Sequence, residues 1–262
     1  MRIIVPLRRV LDPAGIVAHR RLRRLFINRE EYILQPADHC ALEAALRIKD
    51  RASAEVVVVS GQPEPGGDTL RRGLAMGADR AIYLSGADYE NADEAVAVRA
   101  LAAVIERLGG GDLVLAGATR LDTGQGQLAL RLAEGLGWPQ IGGAWWVEVS
   151  DGRLQAVQRD GDGFVRVEAG LPVVVTVAAG AMKPRYPDGA RLINVYRGEG
   201  AFAAALDEWD AGDLLPADAR VPVLEDRGRD FPPERERGAL VEGTGEEAAQ
   251  IVAEALRQRL RR

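Results

Sequence analysis

The chain has 262 residues, enough for one or two domains with a sizeable core. It is 47% hydrophobic and 28% charged, with a formal net charge of −5. That composition excludes a disordered chain and argues against nucleic-acid binding, which needs clustered positive charge. One cysteine, Cys40, excludes an internal disulfide, and with only His19 and His39 beside it a metal site is not expected. No apolar run reaches the ~20 residues of a membrane span, and the N-terminus does not read as a signal peptide. A cytoplasmic protein is the expectation.

In chain order, Arg2–Leu7 reads as a buried strand. Arg23–Leu34 reads as a short hairpin turning at Asn28–Glu30. Pro36–Asp50 is a helix, with Pro36 in its first turn and Ala41, Leu42, Ala45 and Leu46 on one face. Ala54–Ser60 is apolar on both faces, as in a parallel sheet. A helix from Asp68 ends at Gly77, a strand spans Arg80–Ser85, and a helix spans Ala92–Gly111. Asp112–Gly117 is a strand that opens into a glycine-spaced loop, and a helix follows from Gln127. Strands alternating with helices of this length predict an α/β fold, a mostly parallel doubly wound sheet. Its ligand is expected beyond the carboxyl ends of the strands, at Pro6, Ser60–Gly61, Ser85–Gly86 and Gly117.

The second half alternates apolar and polar residues from Ala144, with turns at "SDGR" and "RDGDG". It predicts antiparallel strands ending in a buried one, Val173–Val177. Ala181–Gly200 reads as an irregular loop leading into a short helix or strand. From Ala201 to Arg237 the acid-, Pro- and Gly-rich chain predicts an extended arm. The last 18 residues predict an amphipathic helix with Ala248, Ile251, Val252, Ala255, Leu256 and Leu260 on one stripe. The division expected is 1–200 for the α/β domain and 201–262 for arm and helix.

The loop "GATRLDTGQGQL" carries the functional signal. Backbone N–H groups at a helix N-terminus bind phosphate without lysine, and glycines allow close approach. Gly124, Gly126, Gln127 and Leu128 are candidate phosphate ligands. On the residues alone, an ordinary strand-to-helix turn capped by Asp122 or Thr123 fits equally well. The chain has no P-loop, no dinucleotide fingerprint and no nucleophile elbow, and Cys40 and His39 sit side by side on a helix pointing apart. No catalytic residue is expected: the reading is a nucleotide binder.

Several segments together resemble the beta subunit of electron transfer flavoprotein: "RRVLDP", "QPADHCALEAALRIKD", "LRRGLAMGADRAIYL", "DLVLAGATRLDTGQGQ", "LAEGLGWPQ", "LPVVVTV", "PRYP" and "FPPERERGALVEG". The resemblance spans nearly the whole chain. It implies a heterodimer with a flavoprotein alpha subunit that holds most of the site of an electron-carrying FAD. It also implies AMP, or a second FAD in electron-bifurcating members, in this chain's own adenine-nucleotide-binding domain. Position by position, the resemblance assigns contacts to Pro6, to Gln35, Pro36, Ala37 and Asp38, to Gly61, to Gly117, and to Asp122, Thr123, Gly124, Gln125, Gly126, Gln127 and Leu128. Gly124 stands where many members carry a second acid. Pro184, Arg185, Tyr186 and Pro187 open what the family uses to dock dehydrogenases. Gly189 takes the place of the usual leucine anchor, with Leu192 as a substitute. Asp160 departs from the family's pattern in its surroundings, and either pairs with the alpha subunit or is a solvated acid. The resemblance implies electron transfer from dehydrogenases to a quinone oxidoreductase, without nucleic acid or membrane insertion, and the terminal helix clasping the alpha subunit. The alternatives are a bifurcating subunit whose second FAD is reduced by NADH, and a stand-alone nucleotide-binding stress-type protein. The second would lack the Trp145–Val177 strands and the arm.

Overall fold

A computed structural model describes residues 1–61, 68–86, 93–198, 205–224, 227–228, 230–232, 238 and 240–260. Its centre is a nine-stranded sheet. Strands β1 (Arg2–Pro6), β6 (Glu55–Ser60), β7 (Arg80–Ser85), β8 (Leu113–Gly117) and β12 (Val173–Val177) are apolar runs that need cover on both faces. The order is β11-β10-β9-β12-β8-β1-β6-β7-β13, with β10 (Arg153–Asp160) antiparallel to both β9 (Gln140–Ser150) and β11 (Gly163–Gly170).

Helices α1 (Pro36–Arg51) and α2 (Asp68–Met76) cover one face, where Ile3, Val5, Val56, Val58, Leu113 and Leu115 point. Helices α3 (Glu94–Arg107) and α4 (Leu128–Leu136) cover the other, over Ile4, Val57, Val59, Val114 and Ala116. Successive strand residues thus feed opposite cores, and the fold is the doubly wound α/β sheet with antiparallel additions that the pattern predicts. From β1 the chain runs outward to β6 and β7, then returns to place β8 on β1's other side. Strand order reverses between β1 and β8, which puts the ligand crevice beyond Pro6 and Gly117.

Three expectations change. Arg23–Leu34 is not one hairpin turning at Asn28–Glu30. The turn is at Arg20–Arg23, and β4 (Arg24–Ile27) pairs backwards with β3 (Ile16–His19). Beyond a kink, β5 (Tyr32–Leu34) pairs with β2 (Arg9–Leu11), so residues 9–34 form one long two-stranded ribbon. Apolar Phe26 and Ile27 find their partners, Val17 and Ile16, upstream of the arginines, which a local reading of 23–34 cannot show. Second, β12 is not the last of an antiparallel run. It lies parallel between β8 and β9, deep in the sheet. Third, the extended arm does not begin at Ala201. Leu206–Asp210 is β13, added parallel to β7 as the sheet's edge, with Arg80 bonded to Asp207 at 2.7 Å. Its sequence "LDEWD" is charged because it is an edge strand. The short segment after Ala181 resolves as helix α5 (Gly189–Arg197), capped by the Asp188 side chain. Helix α6 (Ala211–Leu214) follows β13, and the terminal helix α7 is Gly245–Leu260. Residues 233–237 of the "FPPERERGALVEG" segment lie outside the described residues.

Candidate functional site at the strand-order switch

Three pieces converge at the switch: the end of β1, the N-terminus of α1, and the loop from β8 to α4. One carboxylate ties them. Asp38 is fully buried and accepts from the Arg8 backbone N–H at 3.0 Å, from Arg8 Nε at 2.9 Å and Nη2 at 2.8 Å, and from the Gly117 N–H at 3.1 Å. Burial would lower the Arg8 pKa, but the Asp38 carboxylate outweighs it and, with smaller help from Glu94 and Asp122, holds the guanidinium charged. Asp38 is a brace: its acceptor positions are filled by protein. Gly117 is glycine for a steric reason, since a Cβ there would stand 2.3 Å from Asp38 Oδ1 and 2.8 Å from the Ala37 Cβ. Helix α1 enters against bare backbone.

Gln35 holds the loop. Its side chain is buried, donates to the Thr119 carbonyl and accepts from the Leu121 N–H at 3.3 Å. The loop then closes on itself. Arg120 N–H donates to the Gln125 carbonyl at 2.7 Å and Gly124 N–H to the Arg120 carbonyl at 3.0 Å. Gly126 folds against Ala118, whose carbonyl would lie 2.1 Å from any Cβ. Both cations of the stretch are engaged locally. Arg120 makes a two-pronged pair with Asp122 at 2.9 and 2.6 Å, which, against the opposing effect of burial, holds that carboxyl below its usual range. Arg131 donates to Gln127 Oε1 at 3.1 and 2.9 Å.

These contacts separate the expected contact residues into two groups. Asp38, Gln35, Gly117, Asp122, Thr123 and Gln125 have polar groups bonded within the protein; Thr123 N–H goes to Asp122 and Gln125 N–H to Thr123 Oγ1. Neither Asp122 nor Thr123 caps α4. The helix starts from Gln127 without a side-chain cap and without an acid in its first turn, so Leu128 and its neighbours present backbone donors outward. Pro36 and Ala37 open α1, Pro6 ends β1, and Gly61 directly follows β6 at the same edge.

Ser60, read from the sequence only as a strand end, and Glu94, which the sequence did not single out, also lie at this edge. Ser60, the last residue of β6, has a buried hydroxyl without a hydrogen-bond partner among the described residues. So has the Oε1 atom of Glu94, in the first turn of α3 and near enough to Arg8 to stabilise its charge. Buried polar atoms are rarely left unpaired. A hydroxyl, a carboxylate oxygen and an uncapped helix start suit the hydroxyls and phosphate of a nucleotide, so the residues fit that group.

The chain's matches to known proteins agree with this geometry. The electron transfer flavoprotein domain family matches residues 24–210. The electron transfer flavoprotein subunit beta of Megasphaera elsdenii is 30% identical over 275 residues, covering 99% of this chain and 98% of that one. That of Clostridium acetobutylicum is 33% identical over 214 residues, 82% and 80% of the two chains. The chain belongs to the electron transfer flavoprotein beta-subunit family. A further relative, the caffeyl-CoA reductase-Etf complex subunit CarD of Acetobacterium woodii, is 32% identical over 197 residues, 75% of each chain. Family membership carries an electron-transfer role and a general association with flavin and adenine nucleotide. Among the described residues no helix is long and apolar enough to cross a membrane.

The Pro184–Pro187 segment, expected from the resemblance to dock partners, packs on α1. Arg185 donates to Glu43 from its backbone at 3.0 Å and from Nε at 2.9 Å, and reaches Asp50 at 2.7 Å. Burial of Glu43 would raise its pKa, but Arg185 and then Arg47 bring it below the usual range. Tyr186 is left 84% exposed. Pro187 and Leu192 turn into a cleft of about 440 Å³ shared with Arg9, Tyr32, Arg72 and Tyr196. Leu192 is thus half-buried in the chain's own packing, while Ile193 beside it is exposed. Gly189 begins α5.

Proposed function

We propose that this chain is the nucleotide-holding half of a heterodimeric electron carrier. It partners a flavoprotein alpha subunit and passes electrons from dehydrogenases to a quinone oxidoreductase. A flavin supplies the redox chemistry when bound; this chain's side chains bind, orient and exclude water. The switch-point crevice supports the reading. Its wall is self-braced by Asp38, Gln35 and the Arg120–Asp122 pair, so the loop keeps its shape without a ligand-borne charge. The Ser60 hydroxyl and Glu94 carboxylate oxygen await partners there. The α4 N-terminus, uncapped and without an acid in its first turn, offers a backbone anion position, with Arg120 and Arg131 engaged locally. One phosphate suits this better than two, and AMP is the nucleotide we assign.

The second reading is a second FAD with NADH as donor. It draws on relatives named as parts of reductase complexes, the caffeyl-CoA reductase-Etf complex and an acryloyl-CoA reductase electron transfer subunit. In either case the exposed stripe of α7 clasps the alpha subunit, and Tyr186 with Ile193 forms the dehydrogenase-facing surface.

Co-expression with the alpha subunit and counting flavin and AMP released on denaturation tests both. One FAD and one AMP per heterodimer is the expected result. Two FAD and no AMP would replace it with the second reading. No complex and no nucleotide would end the electron-transfer reading.

A further inference from the structure

The ribbon of residues 9–34 ends in an element the nucleotide site does not explain. Strands β3 and β4 pair over four residues each and stand away from the body. Cross-strand pairing puts Ile16, Ala18, Leu25 and Ile27 on one face, and Val17 with Phe26 on the other. Val17, Leu25, Phe26 and Ile27 are each at least 41% exposed. A two-stranded hairpin with nothing on either face is marginal in water. Yet this one is shaped in advance. His19 Nδ1 accepts from the Leu22 N–H at 3.2 Å at the turn, Arg23 takes the left-handed conformation, and the Asn28 N–H donates to the Gly15 carbonyl at 2.9 Å at the base.

Its charge is as unusual as its shape. Residues 13–29 contain five arginines and no acid, in a chain of net charge −5. Arg20, Arg21, Arg23 and Arg24 crowd the turn. Arg23 reaches across to the C-terminal arm, bonding Asp230 at 2.8 Å and the Phe231 carbonyl at 3.2 Å. Among the described residues Arg20, Arg21 and Arg24 form no ion pair.

The order of these features along the hairpin decides what covers it. A hairpin that enters a lipid surface carries its apolar residues at the tip and its cations behind, at the headgroups. Here the tip is charged and the stem is apolar, so insertion would bury four arginines first. The arrangement suits a protein cleft with apolar walls and an acidic floor.

We propose that β3–β4 is a docking prong that inserts into such a cleft on the flavoprotein alpha subunit, a second attachment besides α7. This rests on the heterodimer of the proposed function. The arm contact favours that occupant, because Arg23 joins the prong to the segment whose terminal helix also exposes an apolar stripe.

The test uses the full chain and its alpha subunit, with binding measured at low and high salt. Arg20→Glu/Arg21→Glu/Arg24→Glu is expected to weaken the complex roughly tenfold at low salt, the loss shrinking as salt rises. Leu25→Ser/Phe26→Ser is expected to weaken it at both. The isolated chain's melting temperature should hold for both variants, since these side chains are exposed. Wild-type affinity for both variants would overturn the prong and leave the electron-transfer reading standing. A wild-type chain that does not bind the alpha subunit would overturn both. Tip-dependent retention on phosphatidylserine vesicles with unaltered alpha-subunit binding, or a chain homodimer broken by the same substitutions, would also overturn it.

Discussion

Asp38 shows how a residue's role depends on where distant chain arrives. Its type and place in "QPAD" suggest a ligand contact. Its surroundings make it the brace between Arg8 and Gly117, which lie 30 and 79 residues away. Asp38→Ala would leave a nearly buried guanidinium unpaired, and is expected to cost about 3–5 kcal/mol in urea unfolding. Glu43 repeats the pattern on the far side of α1, where it holds Arg185 and Arg47. Its folded-state pKa is depressed, so its contribution is complete above the ordinary carboxylate value and is lost as pH falls through the folded one. Glu43→Gln should lower stability at neutral pH by about 1–3 kcal/mol, less than for Asp38 because Arg185 can turn to solvent. It should also flatten the acid limb of stability against pH. An acid limb equal to that of the wild type would assign the loss to other carboxylates. Such roles were illegible in the sequence because each needs partners from separate elements. Ser60 was legible as a strand end bordering the ligand, but its unpartnered hydroxyl was not, because it is marked by a partner absent among the described residues.

Elements were legible where their signal is local. The five central strands are unbroken apolar runs, and α1, α2, α3 and α4 carry proline, glycine or a helical apolar face at readable places. Two elements escaped. The ribbon's turn carries arginines instead of the expected glycine or asparagine, and is fixed by His19 and Arg23. β13 is short and charged, and only its register with β7 makes it a strand. Its packing is substantial, with Trp209 beneath the Arg107 guanidinium at 4.5 Å. The arm after it is tied up to Leu224 by Arg99, which donates to the Ala219 and Val221 carbonyls at 2.7 and 3.0 Å, and by Asp93, which accepts from the N–H groups of Val223 and Leu224 at 2.7 and 2.8 Å; among the described residues beyond, Asp230 and Phe231 meet Arg23 of the exposed ribbon. A chain ending after Leu224 is therefore expected to melt within a few degrees of the full length. One ending before Leu206 exposes the β7 edge and should aggregate on purification. Size-exclusion profiles and melting curves of the two truncations decide this. Aggregation of the longer one would mean that the C-terminal helix belongs to the core.

At the scale of the molecule, the doubly wound sheet and the position of its crevice follow from alternation and from one topological rule. The binding partners do not, because surfaces awaiting another chain look like ordinary exposed residues until the fold shows that nothing covers them. On the reading proposed above the ribbon and α7 are such surfaces, their apolar side chains exposed among the described residues. The sheet order has a temporal side as well. β1 precedes the other strands in sequence and lies inside the sheet, yet its neighbours come from residues 55–60 and 113–117. During synthesis β1 gains its first neighbour only once residues 55–60 have been made and its second only after residue 113, with the apolar ribbon directly behind it. Such delayed, non-local pairing is slow and prone to association. If the ribbon docks on the alpha subunit as proposed, that exposure becomes an opportunity: the partner's cleft could capture the nascent chain before the sheet has closed, so that assembly would begin while the chain is still on the ribosome.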